Sequence, residues 1–234
     1  MYCLYIVINQ DILEVENKNT KKYKVLNENF IETLLFLGGI AYLLLLITNI
    51  LLASFFGYNI LNNYISELGY SRIIPFPFLN DGITIFCGML MFFSHFYYVH
   101  QLKIQYHLSW YSIVFMTLGF LSGIIGALGY FFLGIFSLDR AGPSDLYHGI
   151  SMGFSFSGFL TSIACYSLIF VLTRKSRLKK VGLYGLTFPF ICLIVYSLTD
   201  NPLVEWILLF SIIGFFLVFI YNIRYKIRDK GIYL

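Results

Sequence analysis

Long apolar stretches decide what this chain can fold into. About twenty consecutive apolar residues mark a helix that crosses a bilayer, and several such runs follow one another along the chain. The composition agrees, because 59% of the 234 residues are hydrophobic and only 12% are charged, whereas soluble domains carry roughly 25% charged residues. We therefore expect an all-α polytopic membrane protein whose fold is a six-transmembrane-helix bundle.

Six apolar runs account for this expected bundle. The first is expected to begin at Asn29, because Asn29 as N-cap and Glu32 three residues later form a capping-box pattern. The predicted spans are 29–56, 82–100, 108–136, 147–173, 181–198 and 203–221. They divide the chain into an N-terminal cytoplasmic segment (1–28), a six-helix transmembrane domain (29–222) and a basic cytoplasmic tail (223–234).

Lysine and arginine residues are distributed unevenly between the two sides of the predicted bundle. Four lie before the first span, one follows the second, five lie in the loop RKSRLKK after the fourth, and four lie in the tail. Six spans put all fourteen on one side, and of the sixteen in the chain only Arg72 and Arg140 fall on the other. The positive-inside rule then predicts a multi-pass protein of the cell membrane with both termini in the cytoplasm. Trp110 and Trp206 lie near span ends, where an interfacial aromatic belt is expected.

The cysteines do not form a recognisable framework. They are Cys3, Cys87, Cys165 and Cys192, and none belongs to a CxxC pair. Three of them lie inside apolar runs, whereas a disulfide framework needs cysteines in exposed loops. We expect them to be small buried hydrophobic side chains, and we predict no cofactor and no metal centre.

Small residues recur at helical spacing in spans three and four. Span three carries Gly119, Gly123 and Gly126, and span four carries Gly149 and Gly153. Small residues four apart let helix backbones approach closely in lipid, so spans three and four are predicted to pack together through these glycines. The segment GISMG (149–153) also matches the G-x-S-x-G nucleophile pattern, but that motif needs a strand and a sharp turn before its helix. Helix packing is therefore the favoured interpretation.

Acidic residues gather on the side opposite the basic loops. That side, the predicted outer face, holds Glu67, Asp81, Asp139, Asp145, Asp200 and Glu205. Asp145 precedes His148 by three residues, which puts both on one helix face if span four begins there. A carboxylate next to an imidazole raises its pKa and fixes its tautomer, as a general base or a metal ligand requires. The alternative is that each acid caps an outer helix end and avoids the positive inside.

Four short motifs at the predicted outer face resemble those of a known family. They are Ser66-Glu67-Leu68-Gly69, Asn80-Asp81-Gly82, Gly134-Ile135-Phe136-Ser137-Leu138-Asp139 and His148. Over about residues 30–225 the chain resembles the integral-membrane family called domain of unknown function 998. That family has I-S-[DE]-L-G after span one, N-x-G opening span two, G-x-F-P-x-D closing span three and a histidine opening span four. Ser137 stands where the family often has proline.

The resemblance implies a fold and a location for the motif residues, without an established activity. The family is similar to the Frag/DRAM/Sfk group of six-span proteins, some of which are tied to lipid and GPI-anchor handling. It implies six helices and a cluster of motif residues at the outer face. The carried-over residues are Ser66, Glu67, Gly69, Asn80, Gly82, Asp139 and His148.

Together, charge and resemblance define a candidate ligand-binding pocket. Gly69 and the turn Pro75-Phe76-Pro77 are expected to fold the first outer loop over the helix ends. Glu67, Asp139 and His148 would then converge, and a protonated His148 would suit a phosphate headgroup. The candidate ligand-binding residues are Ser66, Glu67, Asn80, Asp81, Asp139, Arg140, Asp145 and His148.

Three functions are compatible with such a pocket. The first is binding or handling of a lipid headgroup or a small polar ligand, with membrane lipids as partners. The second is a non-enzymatic structural subunit or small transporter of a membrane complex, with a membrane-protein partner or a second copy of the chain. The third is a metal-dependent membrane hydrolase, although catalytic zinc usually takes three protein ligands rich in histidine and only His148 is expected at this face. A nucleic-acid partner is not expected.

Overall fold

The computed structural model describes residues 30–105, 110–141, 145–172 and 176–229, and it contains no strand within those ranges. Its helices are α1 (Phe30–Ser54), α2 (Pro77–Gln105), α3 (Trp110–Ile135), α4 (Leu146–Leu172), α5 (Ser176–Thr199) and α6 (Pro202–Asp229). All six are long and apolar enough to cross a membrane. The predicted all-α fold with six membrane-spanning helices is therefore confirmed.

Two short 3₁₀ helices lie at one end of the bundle, which we call the 3₁₀ end. Ile65–Gly69 lies between α1 and α2, and Leu138–Arg140 lies between α3 and α4. Helix α2 begins at Pro77, five residues before the predicted start at Gly82. Proline suits the first turn of a helix, where its missing N–H would have no partner in any case. Asn80 and Asp81 consequently belong to the buried first turns of α2 and not to a loop.

The predicted ends of the chain fall partly outside the described residues. Residues 1–28 and Asn29 are among these, so the Asn29 cap stays a prediction. Glu32 is buried in α1, where its Oε2 accepts a hydrogen bond from the Tyr97 hydroxyl at 3.3 Å. Helix α6 continues to Asp229, so the first seven residues of the predicted tail are helical.

Helices that are consecutive in sequence are neighbours in the bundle. Among α2 to α6, the most extensive contact joins α3 and α4, followed by α2 with α3. Helix α1 contacts both α2 and α6, because a Cβ added at Gly38 or Gly39 would lie 2.8 Å from the side chain of Leu90 or Leu217, respectively. The bundle is thereby closed between its first and last helices.

Backbone contact joins α3 to α4, as the sequence predicted, but the glycines of α4 that make it are different. A Cβ at Gly126 would lie 2.7 Å from Phe159 N, and a Cβ at Gly158 would lie 2.4 Å from Gly126 N. Gly149 and Gly153 have nothing within 4 Å of such a Cβ, so their predicted packing role is wrong. Both lie on an exposed face of α4, while Gly158 faces α3.

The other two predicted glycines of α3 face side chains. A Cβ at Gly119 would lie 3.0 Å from the Tyr166 ring of α4, and one at Gly123 would overlap the imidazole of His95 on α2. His95 is fully buried, with Nδ1 2.7 Å from the Met91 carbonyl and Nε2 3.2 Å from Ser162 Oγ. An ionisable side chain within a membrane needs such partners.

Two further predictions about single side chains have different outcomes. Cys87, Cys165 and Cys192 are buried and unpaired, as predicted, whereas Cys3 lies outside the described residues. Trp206 is not an interfacial side chain, because it is only 1% exposed. Its Nε1 donates to the Asn63 carbonyl at 3.3 Å, so the loop at the 3₁₀ end covers the indole.

Candidate functional site

A pocket lies at the 3₁₀ end and encloses about 480 Å³ when the open space at its mouth is included; we call it the polar cavity. Its polar lining residues are Ser66, Asn80, Thr84, Ser137, His148 and Glu205, and its apolar ones are Ile65, Tyr130, Leu133, Met152, Phe156 and Leu209. Four helices and the first 3₁₀ helix therefore contribute residues to the lining of this cavity. Three of the eight candidate residues, Ser66, Asn80 and His148, line this cavity.

A second space, the apolar cavity, extends from this point into the bundle and encloses about 630 Å³ when the open space at its mouth is included. Its lining residues come from every helix except α5 and are almost all hydrophobic, including Leu35, Leu90, Phe159, Phe216 and Ile220. It shares Tyr130, Phe156 and Leu209 with the polar cavity, so the two spaces adjoin. Along α6 the lining runs from Glu205 to Ile220, which a rise of 1.5 Å per residue makes about 22 Å.

Two tyrosine hydroxyls meet near the junction of the two cavities. Tyr42 of α1 and Tyr130 of α3 are both buried, and their hydroxyl oxygens lie 2.6 Å apart. Each hydroxyl therefore satisfies the other inside an apolar environment, where an unpaired hydroxyl would be costly. The pair also joins α1 to α3 across the wall of the apolar cavity.

His148 is held by a backbone carbonyl and not by a carboxylate. It lies in the first turn of α4, is 7% exposed, and its Nδ1 is 2.9 Å from the Phe136 carbonyl oxygen. A carbonyl accepts only, so Nδ1 carries the proton, and Nε2 of the neutral ring is an acceptor. Asp145, predicted to pair with His148, is exposed with a φ of 52°. The described residues include no carboxylate bonded to His148.

Glu205 is the charged residue of the polar cavity that the candidate set lacks. It lies in the first turn of α6, is 4% exposed, and its Oε2 accepts a hydrogen bond from Ile65 N at 2.9 Å. Among the described residues this is its single hydrogen bond, which leaves Oε1 without a partner. The sequence shows Glu205 only as an acid after Pro202, a pattern that also fits helix capping.

Asn49 is a second residue that the candidate set lacks. It is fully buried in α1, and its Nδ2 donates to Asn80 Oδ1 at 3.4 Å. Thr84 Oγ1 donates to the Asn80 carbonyl at 2.8 Å, one turn along α2. Asn49 therefore orients the Asn80 amide at the edge of the polar cavity. The sequence feature that could have identified Asn49 is its polar amide inside an apolar run, where polar residues are often functional.

Glu67 and Asp139 brace the loops and do not line the polar cavity. Glu67 Oε2 accepts from Asn63 Nδ2 at 2.8 Å and from Tyr64 N at 3.1 Å. The Asp139 carboxylate accepts from Ser71 N at 3.0 and 3.1 Å and from Ser71 Oγ at 2.9 Å. Nearby N–H and O–H donors satisfy these carboxylates locally. Of the three side chains expected to converge, only His148 is among the lining residues of the polar cavity.

Asp81 and Arg140 join α2 to the end of α3. Arg140 Nη2 lies 2.6 Å from Asp81 Oδ2, and it also donates to the Gly134 carbonyl at 2.9 Å. Arg140 Nε donates to the Ile135 carbonyl at 2.9 Å, so the guanidinium caps the last turn of α3. A Cβ at Gly69 would lie 3.2 Å from Asp81 Oδ1, which fits glycine at this crossing. The pair has a structural role outside the polar cavity.

Two tyrosines fasten the loop that covers α6. The Tyr58 hydroxyl donates to the Tyr64 carbonyl at 2.8 Å, and the Tyr64 hydroxyl donates to the Asp200 carbonyl at 2.9 Å. Burial raises the pKa of Tyr58 above its usual range. Desolvation and then the nearby charge of Asp200 raise the pKa of Tyr64. Both phenols therefore remain neutral donors at physiological pH.

The comparisons with known proteins leave the site to be interpreted from its own geometry. No protein-family model matches the chain, no curated protein matches it, and no solved structure matches it. In the part of the chain that the structure describes, no three His, Cys, Asp or Glu side chains are grouped to hold a metal ion. The polar cavity combines one carboxylate, one imidazole, an amide and hydroxyls, which can hydrogen-bond a polar group.

Proposed function

We propose that this protein binds a membrane amphiphile, with its headgroup in the polar cavity and its acyl chain in the apolar cavity. The observation that carries the proposal is the shared wall of Tyr130, Phe156 and Leu209, which joins a polar chamber to an almost wholly apolar one. Ligand sites are typically apolar spaces with a few placed polar groups, and an amphiphile has the same division.

The size and direction of the two cavities fit a lipid. Their lining extends about 22 Å along α6, which is most of the roughly 30 Å thickness of a hydrocarbon core. The polar cavity lies at the 3₁₀ end, where the headgroup region of a leaflet would be. The uneven distribution of basic residues supports an extracytoplasmic 3₁₀ end, cytoplasmic termini and a place in the cell membrane. Membership of the domain of unknown function 998 family stays a prediction.

The proposal is tested by closing the junction between the cavities. Leu209→Phe adds a ring where both cavities meet, and Ile207→Phe adds the same ring to a residue of α6 that is 39% exposed. The purified full chain is titrated in detergent with a single-chain fluorescent amphiphile, and native mass spectrometry records lipid retained through purification. We expect Leu209→Phe to weaken binding about tenfold and Ile207→Phe to leave it unchanged.

Two results would contradict the proposed function. The first is a folded parent protein that retains no lipid and binds no amphiphile. The second is equal binding by both phenylalanine variants, because binding would then occur on the outer surface of the helices. Circular dichroism of each variant checks that the helices are intact.

A further inference from the structure

The polar cavity contains a carboxyl and an imidazole side chain and lacks, among the described residues, a lysine or arginine partner for them. No lysine or arginine is among its lining residues in the part of the chain that the structure describes. Arg140 is the basic residue of the neighbouring 3₁₀ helix, and its guanidinium is already bonded to Asp81 and to the Gly134 and Ile135 carbonyls. The acidic side chain among its lining residues is Glu205.

The two strongest polar groups in the lining are both available as acceptors. Glu205 is only 4% exposed. Its Oε1 has no hydrogen-bond partner among the described residues. His148 uses Nδ1 on the Phe136 carbonyl, which leaves the Nε2 lone pair of the neutral ring. A buried carboxylate with one backbone hydrogen bond is still short of compensation for its lost hydration, so a ligand that donates hydrogen bonds and carries positive charge would stabilise this site.

We propose that the headgroup bound in the polar cavity carries a protonated amine, and that Glu205 and His148 accept its N–H bonds. This inference rests on the proposed function and adds the chemical class of the ligand. An ammonium group has three donors and no acceptor, which matches the carboxylate of Glu205 and Nε2 of His148. A phosphate headgroup, which the sequence suggested, would face Glu205 as a like charge with no lysine or arginine to neutralise it.

Three amphiphiles with one chain length and different headgroups test the inference. They are hexadecylamine, hexadecanol and hexadecyl phosphate, each used at pH 7 to displace the fluorescent amphiphile from the full-length protein in neutral detergent. A hydrogen bond to a charged group is stronger than one between neutral groups. We therefore expect the amine to bind about tenfold more tightly than hexadecanol or hexadecyl phosphate. Glu205→Gln keeps an acceptor for Ile65 N and removes the carboxylate, so it should abolish the preference for the amine over hexadecanol.

Glu67→Gln is the matched control, because Glu67 braces the adjacent loop outside the polar cavity. It should keep the preference for the amine. Equal binding of all three amphiphiles by the parent protein would overturn the inference and leave the proposed function intact. Tighter binding of hexadecanol or of hexadecyl phosphate, or a preference that survives Glu205→Gln, would also overturn it. Failure of all three to bind would refute the proposed function, and the inference with it.

Discussion

Adding one methyl group at Gly158 should separate α3 from α4, whose backbones approach closely at this residue. The Cβ of Gly158→Ala would lie 2.4 Å from Gly126 N, 2.5 Å from Gly126 Cα and 2.6 Å from the Ser122 carbonyl. All three are backbone atoms of α3, so no side chain can rotate away. Carbon atoms in optimal contact are about 3.5–4.0 Å apart, and α3 and α4 must therefore move apart by about 1 Å.

The size of the effect follows from that displacement. A radial gap of about 0.5–1 Å forfeits a quarter to a half of each dispersion contact along the helix pair, and overpacking typically costs about 1–3 kcal/mol. Alanine in place of glycine returns roughly 0.5–1 kcal/mol in a helix interior. The free energy of unfolding of Gly158→Ala should therefore fall by about 1 kcal/mol.

Gly153→Ala is the matched control on the same helix. A Cβ there meets nothing within 4 Å, so only the helix-propensity gain applies, and stability should rise by up to about 1 kcal/mol. Unfolding is measured by titrating sodium dodecyl sulfate into mixed micelles while helix content is followed by circular dichroism. If Gly158→Ala is as stable as Gly153→Ala, the close approach of α3 and α4 at Gly126 is refuted.

Three further predictions concern the loops and the topology. Arg140→Gln should destabilise the protein by about 1–3 kcal/mol, because the buried Asp81 carboxylate loses a charged partner. Adding Asp81→Asn should recover part of that loss. If the two substitutions are strictly additive in the same titration, the ion pair is contradicted. Asp139→Ala should speed hydrogen exchange at Ser71 N, whereas unchanged exchange would show that the Asp139 contacts do not brace the loop. In a cysteine-free background, an impermeant thiol reagent applied outside cells should label Ser71→Cys and not Lys180→Cys; the reverse pattern would invert the proposed orientation.

The spans could be predicted because a bilayer demands long apolar segments, whatever the rest of the fold does. The start of α2 was missed because Pro75-Phe76-Pro77 followed by Asn80 and Asp81 is also typical of a polar turn. Only tertiary contacts show that Asn80 and Asp81 are buried, with Asn49 and Arg140 as partners. Local sequence pattern carries no information about a contact between residues 31 or 59 positions apart.

The packing glycines of α4 show a similar limit. This helix has two stripes of small residues: Gly149, Gly153 and Ser157 are exposed, whereas Ser151, Ser155, Gly158 and Ser162 are buried. Both stripes have helical spacing, so the sequence cannot tell which one faces α3. The prediction of the site residues had the same limit. The sequence does not distinguish Glu205, which lines a cavity, from Glu67, which caps a turn.

The burial of Trp206 gives the chain an optical reporter beside Glu205, which lies in the wall of the cavity where a headgroup is proposed to bind. The protein has two tryptophans. Trp110 is 64% exposed at the start of α3, whereas Trp206 is 1% exposed. The Trp206 indole is hydrogen-bonded to the loop at Asn63, and the residue is adjacent in sequence to Glu205. A Trp110→Phe protein would emit from Trp206 alone. Its fluorescence would be shielded from water-soluble quenchers while the loop is closed, so the quenching rate would measure how often that loop opens, without any attached dye.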